Sequence, residues 1–145
     1  MAKTHLQAIP AIAAGLIAGV ILLIVPHASP WESLTPFMPA ILGRVVPAAW
    51  GVSMLGIIVL HLAISLIYGF IISLAVVNVR ELRAVVLGGV IGLALYVVNH
   101  GIVAMWLPAM KGNEISVLIT HIVFGLIAAG AYRGLLRRRV PATSP

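Results

Sequence analysis

Four long apolar stretches, separated by short polar or proline-rich segments, set the pattern of this chain. The clearest runs from Gly51 to Val77 without a single charged residue. A bilayer's hydrocarbon core is about 30 Å thick and a helix rises about 1.5 Å per residue, so roughly 20 apolar residues cross it. This stretch exceeds that length and leaves room for tilt. The same reading predicts transmembrane helices over 8–25, 51–77, 84–107 and 114–136, with a basic tail over 137–145. Pro26 ends the first span and Pro108 the third, because proline removes a helical hydrogen bond and clashes with the preceding turn. Arg80, Glu81 and Arg83 mark a tight connection between the second and third spans, and Asn113 and Glu114 form a favourable helix start for the fourth.

Residues 26–50 depart from the pattern. Pro26, Pro30, Pro36, Pro39 and Pro47 forbid one continuous helix. Ser29, Pro30 and Glu32 fit the cap, first and third positions of a short helix, and Trp31 and Trp50 bracket the segment with rings suited to the headgroup level. A short interfacial helix in a periplasmic loop is expected there. The first span has the apolar character of a signal peptide, but its length and the poor cleavage site before Pro30 read as a retained helix.

Composition agrees with a single membrane domain over 1–145. The chain is 62% hydrophobic and 8% charged, with mean hydropathy +1.18, whereas soluble domains carry about 25% charged residues. A net charge of +6 invites a nucleic-acid reading, yet the basic residues sort by side of the membrane instead. With a cytoplasmic N-terminus, Lys3, Arg80, Arg83, Arg133, Arg137, Arg138 and Arg139 fall inside, against Arg44 and Lys111 outside. Trp31, Trp50 and Trp106 then all fall at the outer interface. The charge thus marks topology and contact with a lipid bilayer, and no nucleic-acid partner is expected. With no cysteine in the chain, disulfides, thiolate metal sites and cysteine nucleophiles are excluded.

The spans also pair. Gly15, Gly19 and His27 in or beside the first lie 73 positions before Gly88, Gly92 and His100 in the third. His61 and Ser65 in the second lie 60 positions before His121 and Gly125 in the fourth. The fold expected is therefore an all-α integral membrane protein, a four-helix bundle built from two repeated helical hairpins with both termini cytoplasmic. Gly15–Gly19 and Gly88–Gly92 have the small-xxx-small spacing that lets two helix backbones approach closely, and they mark where spans one and three meet their neighbours.

Three histidines lie within the spans. By helix rise His100 and His121 sit roughly 10 Å, and His61 roughly 15 Å, from the outer helix ends. An ionisable side chain at such depth is costly and is a candidate functional residue by default. His61, Ser65 and Tyr68 share one helix face, as do His121, Gly125, Ala128 and Tyr132. Three readings stand side by side. His61 and His121 are candidate axial ligands of a b-type haem, the small residue one turn away making room for the ring. His61, His100 and His121 are alternatively a metal or proton site, with Met54 or Met105 as a soft neighbour for copper. In the third reading each imidazole hydrogen-bonds across the bundle, to Ser53, Ser65, Asn99, Thr120 or a backbone carbonyl. His27 is read as interfacial and solvated, His5 as tail.

Catalytic patterns are missing. The sequence has no GxSxG, HExxH or phosphate-binding loop, so no catalytic residue is assigned. It has no aspartate, and Glu32, Glu81 and Glu114 all stand at span boundaries, which disfavours an ion-coupled transporter.

The His-x-x-x-small step in spans two and four resembles uncharacterised bacterial families of small four-helix inner-membrane proteins. His121, Gly125 and Tyr132 match the H-x-x-x-G-x-x-x-x-x-x-Y stretch of that type in full. The first copy departs from it, with Ser65 in the glycine position, Ile72 in that of the tyrosine and Tyr68 one turn early. The resemblance implies fold and location but no activity. The resulting expectation is a non-catalytic accessory subunit of a bacterial inner-membrane complex, respiratory or otherwise redox-active, partnered by other membrane-protein subunits. The alternative class is a small transporter or channel.

Overall fold

The computed structural model describes residues 5–24, 54–106 and 114–139. The described residues form four helices, α1 (Ala8–Ile24), α2 (Met54–Val76), α3 (Glu81–Trp106) and α4 (Glu114–Arg139). Three of them, α2, α3 and α4, are long and apolar enough to cross a membrane. α1 is equally apolar, and its 17 residues give about 26 Å of helix. The interfacial helix expected within 26–50 lies outside the described residues.

Two boundaries differ from the hydropathy reading. α3 begins at Glu81 rather than at 84, its first turn closed by the Ala84 amide donating to the Arg80 carbonyl at 2.7 Å. α4 continues through Arg139 instead of ending at 136. Hydropathy treats charged residues as helix ends, but charges at helix termini are electrostatically favourable: Glu81 faces the positive end of α3, and arginines occupy the negative end of α4. The Glu81 carboxylate and Arg137 guanidinium also pair with each other, joining α3 to α4.

The helices alternate in direction. The Gln7 amide beside the start of α1 donates to the Tyr132 hydroxyl near the end of α4, at 3.4 Å. Arg133 donates to the Val77 carbonyl just past α2 at 2.9 Å, satisfying one of the orphan acceptors a helix C-terminus leaves. One end of the bundle therefore carries the start of α1, the α2–α3 turn and the end of α4. Arg80, Arg83, Arg133, Arg137 and Arg138 all gather there. Around the bundle α1 packs chiefly on α2 and α4, and α3 chiefly on α4, while α2 touches α3 and, across the diagonal, α4.

The interior is built from small residues. Ala11, Ala14, Gly15, Ala18 and Gly19 bury one face of α1. Ile72 and Val76 are also buried, but many large aliphatic side chains point outward, and Ile24, Leu55, Leu82, Met105 and Ile115 are each at least 70% exposed. This distribution inverts that of a water-soluble bundle, where such residues fill the core.

Two seams of close backbone contact hold each hairpin together, and they correspond. A Cβ on Gly15 would meet the Ser65 carbonyl oxygen at 2.6 Å and Gly69 Cα at 3.2 Å. A Cβ on Gly88 would collide with the Gly125 carbonyl oxygen and the Ala129 side chain. Shifting Gly15 by 73 positions and Ser65 and Gly69 by 60 converts the first set of contacts into the second. Gly19 lies against Ser65 and Leu62, and Gly92 against the His121 carbonyl and Ile122, again the equivalent stretch of the neighbouring helix. Ala11 and Ala84, and Ile72 and Tyr132, are equivalent pairs in which both members are fully buried.

These seams give opposite expectations for one type of substitution. Gly15→Ala, Gly88→Ala and Gly125→Ala each force a backbone apart and should lower stability in detergent by about 1–3 kcal/mol, the range for overpacking. Gly101 and Gly134 have open space where a Cβ would stand, so alanine there should be neutral or stabilising by up to about 1 kcal/mol through helix propensity. Denaturation in mixed micelles measures both sets, and equal effects at seam and open positions would contradict the packing described.

Candidate functional site

The hydrogen-bonded polar side chains around the histidines sort into two groups set by helix geometry, while the Ser73 hydroxyl is buried on α2 with no hydrogen-bond partner. His61, Ser65 and Tyr68 lie on successive turns of one side of α2. Ser65 is buried and its hydroxyl bonds back to the His61 carbonyl at 2.8 Å, within its own helix. The His61 ring turns to α1, where Nε2 meets the Gly19 carbonyl at 3.2 Å. A carbonyl can only accept, so Nε2 carries the hydrogen. The glycine seam brings that carbonyl within reach.

The second group joins three helices. Tyr68 on α2 donates its hydroxyl hydrogen to Asn99 Oδ1 on α3 in a short bond. Asn99 Nδ2 lies 2.7 Å from His121 Nε2 on α4. His121 Nδ1 in turn lies 2.8 Å from the Val117 carbonyl one turn back, an acceptor shared with the Thr120 hydroxyl at 2.8 Å. These partners assign every hydrogen. Because Val117 can only accept, Nδ1 of the neutral ring is the donor and Nε2 presents a lone pair. The amide of Asn99 therefore directs its N–H to His121 and its oxygen to Tyr68. The chain runs in one direction, from the Tyr68 hydroxyl through Asn99 and His121 to Val117. Aromatic rings enclose it: Phe124 stands edge-on to Tyr68 at 6.2 Å between centroids, and Tyr96 edge-on to His121 at 5.9 Å.

His100 belongs to neither group. It is exposed on the outside of α3 with its ring stacked on Tyr96 at 5.7 Å. Asn99 and His100 are sequence neighbours, but successive helical positions point about 100° apart, so one turns inward and the other out. Among the described residues no group of three or more His, Asp or Glu side chains is placed to hold a metal ion. Met105 is exposed, and His5 is exposed as well; His27 and Ser53 lie outside the described residues.

As placed, His61 and His121 do not fit paired haem ligation. Each would need a free Nε2 lone pair facing the iron, but Nε2 of His61 is a donor to Gly19 and Nε2 of His121 is occupied by Asn99. The small residues expected to make room for the ring have another use. Ser65 is filled against by Gly15 and Gly19, and Gly125 by Gly88 and Gly92, so the space is taken by neighbouring backbone.

Asn99 is among the cross-bundle partners that the sequence offers for an imidazole, and the structure pairs it with His121 on α4. A signal was present: Gly88, Gly92 and Asn99 fall at i, i+4 and i+11, on one helix face, so Asn99 lies on the side that the glycines bring against α4. Comparison of the chain with protein-family models, curated proteins and solved structures finds no match.

Removing the central amide should cost more than removing either end. Tyr68→Phe deletes one hydrogen bond between helices and should destabilise the bundle by about 0.6 kcal/mol. Asn99→Leu strands both the Tyr68 hydroxyl and His121 Nε2 and should cost about 1–3 kcal/mol. A double-mutant cycle between Tyr68→Phe and His121→Phe should give a coupling energy that disappears in the Asn99→Leu background.

Proposed function

We propose that this protein is a small, non-catalytic, four-pass accessory subunit of a larger assembly in a bacterial inner membrane, with both termini cytoplasmic. Its two hairpins are read as a repeat, on the strength of equivalent contacts at the two glycine seams. The apolar exterior supports residence in a bilayer, and the gathering of the described arginines at one end supports that end as the cytoplasmic one. The likeness to small four-helix inner-membrane proteins is in keeping with the same location.

The observation that carries the subunit reading is His100. Ionisable side chains within membrane helices almost always face a bundle interior or a polar partner. His61 and His121 do so in this chain, whereas His100 stands on the outer surface of α3 about 9 Å from the helix end. A helix of another subunit placed over that face supplies the missing interior. Redox chemistry of the assembly is assigned to its other subunits, because His61 and His121 are engaged with protein groups. A transporter is the weaker reading: the spans lack a carboxylate, and their interior is closed by contact between backbones.

Extraction in a mild detergent followed by native mass spectrometry should recover the chain in a complex larger than its own 15.2 kDa. His100→Leu should weaken that complex while leaving the helical content unchanged. Recovery of wild-type chain only as a monomer, or indifference of the complex to His100→Leu, would count against the reading. The absence of cysteine adds a check of orientation, since a cysteine introduced at Arg138 should react with impermeant reagents only from the cytoplasmic side.

A further inference from the structure

We propose that His121 is a proton-binding site whose occupancy reverses the direction of the hydrogen-bond chain through Asn99 to Tyr68. The proposal rests on the hydrogen assignments above and is independent of whether the protein is a subunit.

In the neutral state the Tyr68 hydroxyl, one Asn99 amide N–H and His121 Nδ1–H each have an acceptor. A proton arriving at His121 can bind only at Nε2, because Nδ1 already carries a hydrogen directed at Val117. The new Nε2–H would then face the Asn99 amide N–H across 2.7 Å, two donors in one contact. Rotation of the Asn99 amide by half a turn removes the conflict and places Oδ1 on the imidazolium. That rotation points Nδ2–H at the Tyr68 oxygen, so the hydroxyl changes from donor to acceptor and its hydrogen swings away from Asn99. One proton is gained at α4 and none is released; the only bond formed is the N–H at Nε2. The result is that a binding event on α4 is registered on α2 by way of α3.

The surroundings favour transmission over local neutralisation. The titratable groups facing His121 from its neighbours are Tyr68 on α2, in ring contact at 6.4 Å, and Tyr96 on α3. His100 lies behind Tyr96 and is exposed, and His61 is directed to Gly19. α1 has no titratable side chain. The arginines and Glu81 gather at the opposite end of the bundle, and Glu114 stands at the start of α4, about 10 Å along the helix from the charge that His121 would carry. Its stabilisation comes from two acceptors, the Val117 carbonyl and the turned Asn99 oxygen, and only the second requires movement. The ring is half-buried and seven residues from the start of α4, roughly 10 Å below that end by helix rise, which gives protons a short approach.

The test is NMR of the full chain in lipid nanodiscs, with labelled histidine nitrogens, asparagine side-chain amides and tyrosine Cζ, titrated over about pH 4 to 9 to bracket the ordinary imidazole range. The expected result is that His121 passes from one protonated ring nitrogen to two, with the Asn99 amide and Tyr68 Cζ signals moving at the same midpoint. In Asn99→Leu the Tyr68 signal should cease to follow His121, while in Tyr68→Phe the Asn99 signal should still follow it. If Asn99→Leu does not fold, coincidence of the three wild-type midpoints decides the matter. Titration of His121 with Asn99 and Tyr68 unmoved, or an imidazole that stays neutral throughout the range, overturns the proposal.

Discussion

Close approach of helix backbones at two glycine seams is the constraint on which the rest of this structure depends. Lipid chains are as apolar as leucine, so helices in a bilayer gain little by hiding large side chains from their surroundings. They gain from packing atoms that long side chains would hold apart. Once Gly15 rests on the Ser65–Gly69 turn and Gly88 on Gly125, the residues at those crossings must be small, and large ones such as Ile72 and Tyr132 are buried only one or two turns away from them. The same approach decides which polar groups meet. The Gly19 carbonyl becomes an acceptor for His61, and Asn99, on the glycine face of α3, comes within hydrogen-bonding distance of His121.

The polar residues of the interior then act as a set. In a low-dielectric interior an unpaired donor or acceptor is expensive, which favours partners for the groups that enter, although the Ser73 hydroxyl has none. Tyr68, Asn99 and His121 achieve this with hydrogen assignments that depend on one another, which ties three helices into one polar unit. His61 and Ser65 achieve it locally, through a neighbouring carbonyl and their own helix. The two histidines that align in sequence each bond within their own hairpin, but the partner of His121 is Asn99, which also receives Tyr68 and so links the two hairpins. Positions that correspond between the two hairpins need not keep equivalent chemistry, because the second hairpin has Asn99 at the place where the first has Pro26.

The errors of sequence reasoning concern what fills a space. A small residue beside a histidine has the same appearance in sequence whether it makes room for a ligand or for another backbone. The spacing of Gly15 with Gly19 and Gly88 with Gly92 identified close-packed faces, but not that Ser65 and Gly125 were the surfaces they would occupy. Boundaries shifted for a related reason. Hydropathy reads Arg137 as the end of a span, whereas the helix continues and Arg137 reaches Glu81 on the adjoining helix.

The sequence by itself determined the number and approximate extent of the helices, because apolar length is a one-dimensional property that needs no partner to be read. It also determined the register in which the two hairpins correspond, through like residues at constant separation, and the accumulation of the described arginines at one end, through the alternation of helix direction. Only the tertiary structure decided that Asn99 faces inward to His121 and Tyr68 while His100 faces outward, and that His61 is held by α1. Those outcomes depend on the rotation of each helix about its own axis. That rotation is fixed by contacts between residues far apart in the chain, and no local pattern specifies it.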